Sequence, residues 1–384
     1  MDVKVGIDKH RMYIISMNLK GLQKMLIYQK YSLLQMKENG PNLNIGKCEV
    51  HRGVVECAEL EDGNPVTIPY FVMRGVRKKP VLLLDAAIHG DELNGIEVIM
   101  RIFENIDPTE LKGTILAAPI VNTLALKARD RMDTVDKKDL NRFFPGKKDG
   151  TVTERIAYHF FNKFVKKATF GIDLHTGMKG HLLVPHPRIR VFQGSNPPLE
   201  YSQALGTEII FYNEGKEGML NIQAEKAGIP VVCFEIGEAG RLDEYYINEG
   251  YRGVLNFMKY FGMIDGTPEI PEKQILLRNY MELLAKISGL FHPRVNAGDV
   301  VKKNQLVGII SSPFYNERYY VKAPEDGVII GIRTQPIVRP GTTAAWFMTF
   351  DQGEILPSPK RKKISEKSSR TFSMVQKKGV EIKQ

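Results

Sequence analysis

From about Ile45 onward, apolar residues fall into short runs and helical stripes that alternate along the chain. Val50–Glu56 and Pro65–Val72 read as strands, separated by the turn signal Glu61-Asp62-Gly63-Asn64. Val81–Ile88 is a nearly continuous apolar run, the pattern of a strand covered on both faces of a parallel sheet. It stops at His89-Gly90-Asp91-Glu92, and Leu93, Ile96, Ile99, Met100 and Phe103 then recur at helical spacing. Further on, strands are predicted over Thr114–Ile120, Phe170–Leu174, Glu208–Tyr212 and Pro230–Ile236. Helices are predicted over Val152–Lys167, Met219–Ala227 and Asp243–Phe261. The alternation predicts an α/β fold: a mixed, largely parallel sheet with helices on both faces. Polar residues collect where the strands end, which is where open sheets of this kind bind ligands. His181 and His186 fall in what reads as a loop, and residues 186–200, with Arg188 and Arg190, read as a selectivity loop.

Past a Gly/Pro-rich linker at about Gly262–Pro271 the helical signal disappears. Short strands and turns take over, among them Asn296-Ala297-Gly298-Asp299 and Arg339-Pro340-Gly341, which predict a small all-β unit. It resembles the barrel-sandwich hybrid of biotinyl and lipoyl carriers. The hairpin segment Ser311–Arg318 lacks the lysine that carriers need. The expected organisation is a leader over 1–44, weakly helical over residues 1–40, then an α/β domain over 45–265. An all-β domain over 272–352 and a basic, disordered tail over 355–384 complete it.

Composition narrows the function classes. With 384 residues, 43% hydrophobic and 26% charged, the chain has the make-up of a globular protein. No apolar run reaches the length of a membrane span. Cys48, Cys57 and Cys233 sit at no metal or disulfide spacing, which suits reduced thiols in the cytoplasm. The net charge of +10 invites a nucleic-acid reading. Residues 351–384 carry nine Lys/Arg against four Asp/Glu, however, so half of the excess lies in the tail. The body shows no basic helix or stacking motif, and no specific nucleic-acid partner is expected.

His89, with Glu92 three residues later, ends a buried strand, and Gly90 is expected to turn the backbone sharply there. Imidazole and carboxylate at this spacing are a ligand pair suited to zinc. His175, ending the strand that starts at Phe170, is the natural third ligand, and Asp173 a candidate acceptor for its ring N–H. Glu235 closes the apolar run from Pro230 and is the candidate general base. Asn141 and Arg142, flanked by aromatics and followed by Pro145-Gly146, make a carboxylate clamp. Arg129 and Arg131 lie just upstream.

Four segments in order, "HGDELNG", "DLNRFFPG", "DLHTG" and "FEIGEAG", resemble the succinylglutamate desuccinylase/aspartoacylase family over roughly residues 45–350. The resemblance implies a zinc amidohydrolase with a metallocarboxypeptidase-like fold and a β-rich C-terminal domain. It implies one zinc per chain on His89, Glu92 and His175, and Glu235 as general base. It also implies Asn141 and Arg142 on the substrate carboxylate, and an upstream arginine, Arg131 in preference to Arg129, polarising the carbonyl. The expected activity is cleavage of the amide of an N-acyl amino acid or similar small carboxylate. A zinc carboxypeptidase acting on short peptides and a non-catalytic binding protein are the alternatives. A homo-oligomer is compatible with this reading.

Overall fold

The computed structural model of the protein describes residues 5–8, 11–14, 40–195 and 197–359. At the amino terminus β1 (Val5–Asp8) and β2 (Arg11–Ile14) pair as an antiparallel hairpin, where weak helix was expected. The other leader residues before 40, and the basic run Lys360–Lys363 with the residues after it, lie outside the described residues.

The catalytic body is built on β3 (Glu49–Glu59), β4 (Pro65–Arg74), β5 (Val81–Ala86), β6 (Thr114–Ala118), β7 (Phe170–Gly177), β8 (His181–Val191), β9 (Ile209–Glu214) and β10 (Val231–Glu238). Their order is β3-β4-β6-β5-β7-β10-β8-β9. The central β6, β5, β7 and β10 run parallel, β10 meets β8 antiparallel, and β8 and β9 run parallel. The expected mixed, largely parallel sheet is therefore present.

Along these strands successive side chains point to opposite faces. Leu84, Ile172, Leu174, Phe234 and Ile236 pack into one core, against the helices Asn94–Asn105 and Glu244–Tyr260. Leu83 and Val231 point the other way, toward Ile156 and Phe160 of the helix Val152–Lys163 and Leu220 of the helix Leu220–Lys226. The same alternation puts Asp85, Asp173, His175, Cys233 and Glu235 on this second face. All five are buried near the carboxyl ends of their strands. Burying that much polarity is costly unless the groups serve one another or a ligand.

Beyond residue 270 come β11 (Lys273–Leu277), β12 (Met281–Leu284), β13 (Gly289–Pro293), β14 (Val300–Val301), β15 (Leu306–Ser311), β16 (Arg318–Lys322), β17 (Gly327–Arg333), β18 (Ile337–Val338), β19 (Thr343–Thr349) and β20 (Glu354–Pro357). A four-stranded sheet, β16-β15-β13-β18, faces β17 and β19 across a core that holds Phe291, Ile310, Val321, Ile329 and Phe347.

Three expectations change here. The segment read as a loop after His175 is β8, eleven residues long. The all-β region is continuous with the catalytic sheet: β8 pairs with β10 along one edge and with β17 along the other, in a sheet of fourteen strands. The strand β20 pairs with β11, so regular structure runs into the segment expected to be a disordered tail.

Candidate active site and metal centre

The parallel strands deliver the candidate residues to one place. Chain exit from β5 is tight: Ala87 adopts a left-handed conformation (φ 51°), and the backbone then presents His89. Gly90 then lies in a tight turn, as expected, in which the Glu92 backbone N–H donates to His89 O at 3.2 Å. The glycine's role is close approach, since a Cβ there would lie 1.9 Å from the carbonyl carbon of Ala125 in the helix Thr123–Ala128. On β7 and β10, His175 and Glu235 are opposite each other in the ladder.

His89, Glu92 and His175 converge, with one ligand atom from each within 4.8 Å of the others and all three residues buried. Nδ1 of His89 lies 2.7 Å from Oε1 of Glu92, and Nδ1 of His175 lies 2.7 Å from Oε2. The far ring nitrogens also face acids: His89 Nε2 is 3.1 Å from Asp139 Oδ1, and His175 Nε2 is 2.9 Å from Asp173 Oδ1. A neutral imidazole carries a single N–H. His175 Nε2 and Asp173 Oδ1, although close, are not aligned for a hydrogen bond and are left without one. With Asp139 receiving the His89 proton, the His89 Nδ1 lone pair would confront Glu92 Oε1. Only added protons or a cation relieves that conflict, so the donor set fits a divalent metal ion held by two imidazoles and a carboxylate.

Protonation obeys the same logic. Burial opposes charging His89, but Glu92 and Asp139 outweigh it and its pKa is raised. Burial opposes His175 too, and Asp173 with Glu92 raises it well above the ordinary value. Glu92, although buried, is drawn far below the usual carboxylate range by the two histidines. Asp85 sits beside Asp173 in the β5–β7 register. Burial and that neighbouring carboxylate push its pKa well up.

Glu235 differs from Glu92. Its Oε1 accepts from the Cys233 thiol at 3.9 Å and forms an ion pair with Arg188, 3.2 Å from Nε, while its buried Oε2 has no hydrogen-bond partner. Arg131 lies between two acids, with Nη2 3.0 Å from Asp139 Oδ2 and Nη1 3.4 Å from Glu92 Oε1. Arg129 ends the helix Thr123–Ala128 with φ 55°, and its carbonyl accepts from Lys179 Nζ. Arg131, and not Arg129, lines the cavity. Asn141 uses its side-chain oxygen to accept the backbone N–H of Leu220 at 2.8 Å, which leaves its NH2 as a donor. Arg142 Nη2 stands 3.7 Å from Asp139 Oδ2.

His89, Glu92, His175, Glu235, Arg131, Asn141 and Arg142 line one cavity of about 380 Å³, the size of a small-molecule site. Asp139 was noted only as a member of its motif; its position against His89 and Arg131 depends on a contact fifty residues away along the chain. His186 is buried away from the cavity. Its Nδ1 donates to Val184 O, its Nε2 accepts from Arg188 Nε, and burial with Arg188 nearby holds it neutral. The C-terminal strands supply wall residues that sequence reasoning did not name, including Tyr280, Glu282, Thr343 and Trp346. An acid on a short edge strand carries no local signal of this kind.

A buried cluster of imidazoles and a carboxylate, with a second, open carboxylate beside it at the carboxyl edge of an α/β sheet, could hold a metal ion and suits a hydrolytic enzyme. Residues 78–261 match the sequence model of the succinylglutamate desuccinylase/aspartoacylase catalytic domain. The family-model match, the curated relatives and the solved structures all indicate that family. The chain is 27% identical over 292 residues to an N-alpha-acetyl-L-2,4-diaminobutyric acid deacetylase of Halomonas elongata, covering 73% of this chain and 84% of that protein. The crystal structure of a succinylglutamate desuccinylase from Silicibacter sp. TM1040 superposes with a TM-score of 0.67 at 25% identity, over 80% of this chain and 95% of that one. A Rhodobacter sphaeroides structure of the same family, 24% identical, shares the fold with a TM-score of 0.68 over 78% and 95%.

Proposed function

We propose that the protein is a zinc-dependent deacylase that hydrolyses the amide bond of an N-acyl amino acid or similar small carboxylate. The observation that carries this reading is the pairing of two carboxylates with opposite surroundings. Glu92 is committed to two imidazoles, while Glu235, on a neighbouring strand, keeps one buried oxygen open. The family match and the deacetylase relative support it.

Zinc held by His89, Glu92 and His175 would supply a Lewis acid that activates water and polarises the acyl carbonyl. Glu235 takes the proton of the attacking water through its open oxygen and returns it to the leaving amine. Arg188, the ion-pair partner of Glu235, orients its carboxylate. Arg131, steadied by Asp139, offers its guanidinium to the oxygen on which negative charge develops. The Asn141 NH2 and the Arg142 guanidinium hold the substrate carboxylate. A cytoplasmic location, on the strength of the unpaired cysteines, belongs to the same reading.

Walls from Tyr280, Glu282, Thr343 and Trp346 narrow the cavity, which favours small acyl amino acids over peptides. Metal analysis followed by a panel of acyl amino acids and short peptides tests this. About one zinc per chain and turnover of acyl amino acids is expected. Turnover of peptides alone would make it a carboxypeptidase, and zinc without any turnover would leave a binding protein.

A further inference from the structure

The cavity carries charge that the deacylase mechanism does not use. Its other carboxylates are engaged: Glu92 with two imidazoles, Asp173 beside His175, and Glu235 with Arg188. Glu282, on β12, is exposed within the cavity wall and makes no salt bridge among the described residues. Its hydrogen-bond partner there is Thr343, whose hydroxyl donates to Oε2 at 2.9 Å and so aims the carboxylate. Burial and Arg333 lower the pKa of the nearby His181, so that ring is neutral near pH 7 and adds no compensating charge.

Aromatic faces accompany this acid. Trp346 stands directly opposite Glu282 in the β12–β19 ladder, which puts both side chains on one face of the sheet. Tyr280 lines the same cavity two residues before Glu282. An unpaired carboxylate beside π-faces is the environment that attracts an ammonium group and repels an anion. We infer that Glu282, with Trp346 and Tyr280, forms a cation subsite, and that the substrate is an N-acyl amino acid bearing a second, protonated amine. This rests on the deacylase reading and deepens it: Arg142 takes the carboxylate end and the C-terminal strands read the side chain.

The test uses zinc-loaded full-length protein and matched Nα-acetyl amino acids with four- and five-carbon chains. Each set has a cationic member (2,4-diaminobutyrate or ornithine), a neutral one (2-aminobutyrate or norvaline) and an anionic one (aspartate or glutamate). The wild type should favour the cationic member over the neutral one by roughly 10- to 100-fold in kcat/KM, through KM, the size expected of one charge-assisted contact. Glu282→Gln should collapse that ratio toward one, and Glu282→Lys should shift preference to the anionic member. Equal use of cationic and neutral substrates by the wild type would overturn the subsite, as would an equal loss on all three in Glu282→Gln. If the wild type turns over none of them, the deacylase reading fails. Calorimetric binding of free ornithine against free norvaline then decides the subsite by itself: tighter binding of ornithine that vanishes in Glu282→Gln supports it, and equal binding overturns it.

Discussion

What separates Glu235 from Glu92 is the number of partners each oxygen has. Glu235→Gln keeps the shape and the contact with Arg188 but cannot accept a proton. The variant should retain its zinc while kcat falls by roughly 10²–10⁴, as measured by steady-state kinetics beside metal analysis. Loss of zinc in that protein would make Glu235 a ligand. The histidines give a pH test with a definite sign. Their pKa values in the folded, metal-free chain are raised above the ordinary 6.5. The protonated cluster therefore stabilises the metal-free protein below that value, and the contribution is lost as pH rises through the raised pKa values. Zinc needs the same nitrogens unprotonated, so it binds more tightly as pH rises. The gap in melting temperature between zinc-loaded and metal-free protein should widen from about pH 6 to about pH 8. A gap independent of pH would remove these histidines from the ligand set.

Elements, more than single residues, explain what the sequence concealed. His181–Val191, which reads as a loop along the chain, holds Pro185 and Pro187, and proline cannot donate to a ladder. In the fold, one edge of β8 pairs with β10, while the other pairs with β17 only at residues 181–183 and with β9 only at 188–191. Both prolines lie in the interval between these two partners, where no hydrogen bond is asked of that edge. The strand survives, and it carries Arg188 and Arg190 into the cavity. The segment Leu140–Arg142 has a comparable double role, since Asn141 receives the first N–H of the helix Leu220–Lys226. Asn141→Ala should cost about 1 kcal/mol in denaturant unfolding, the usual worth of one such bond. Asn141→Asp keeps the acceptor and most of the stability, but it loses the NH2 and sets a negative charge beside the substrate carboxylate. It should raise KM more than it lowers stability. Equal KM in wild type and Asn141→Asp would confine Asn141 to helix capping.

On the scale of the whole molecule, the hydrolase sheet and the C-terminal strands are one hydrogen-bonded body. Val184, Phe211, Ile330, Trp346 and Met348 share an apolar seam between them. A chain ending near residue 265 would expose that seam and an open edge of β8, both of which invite aggregation. Such a truncation should be insoluble or aggregated by light scattering. A soluble, monomeric fragment that still binds zinc would show that the hydrolase part folds independently. The continuity also explains the cavity's composition: His175 and Glu235 come from the parallel strands, His89 and Glu92 from the turn after β5, and the aromatic wall and Glu282 from beyond the linker. Among the described residues no helix is long and apolar enough to cross a membrane.

Much of the α/β body was legible along the chain because its signals are local. Runs such as Val81–Ala86 need burial on two faces wherever they go, and a histidine or glutamate ending such a run stands out against its own neighbours. The convergence of His89, Glu92 and His175 could be anticipated for the same reason, since parallel strands present their ends on one side of a sheet. Pairing and register were not written locally. Asp139 against His89, β8 spanning two regions and Glu282 opposite Trp346 all depend on contacts between distant segments. Only the packed sheet, which sets which strand lies beside which and at what offset, decides them.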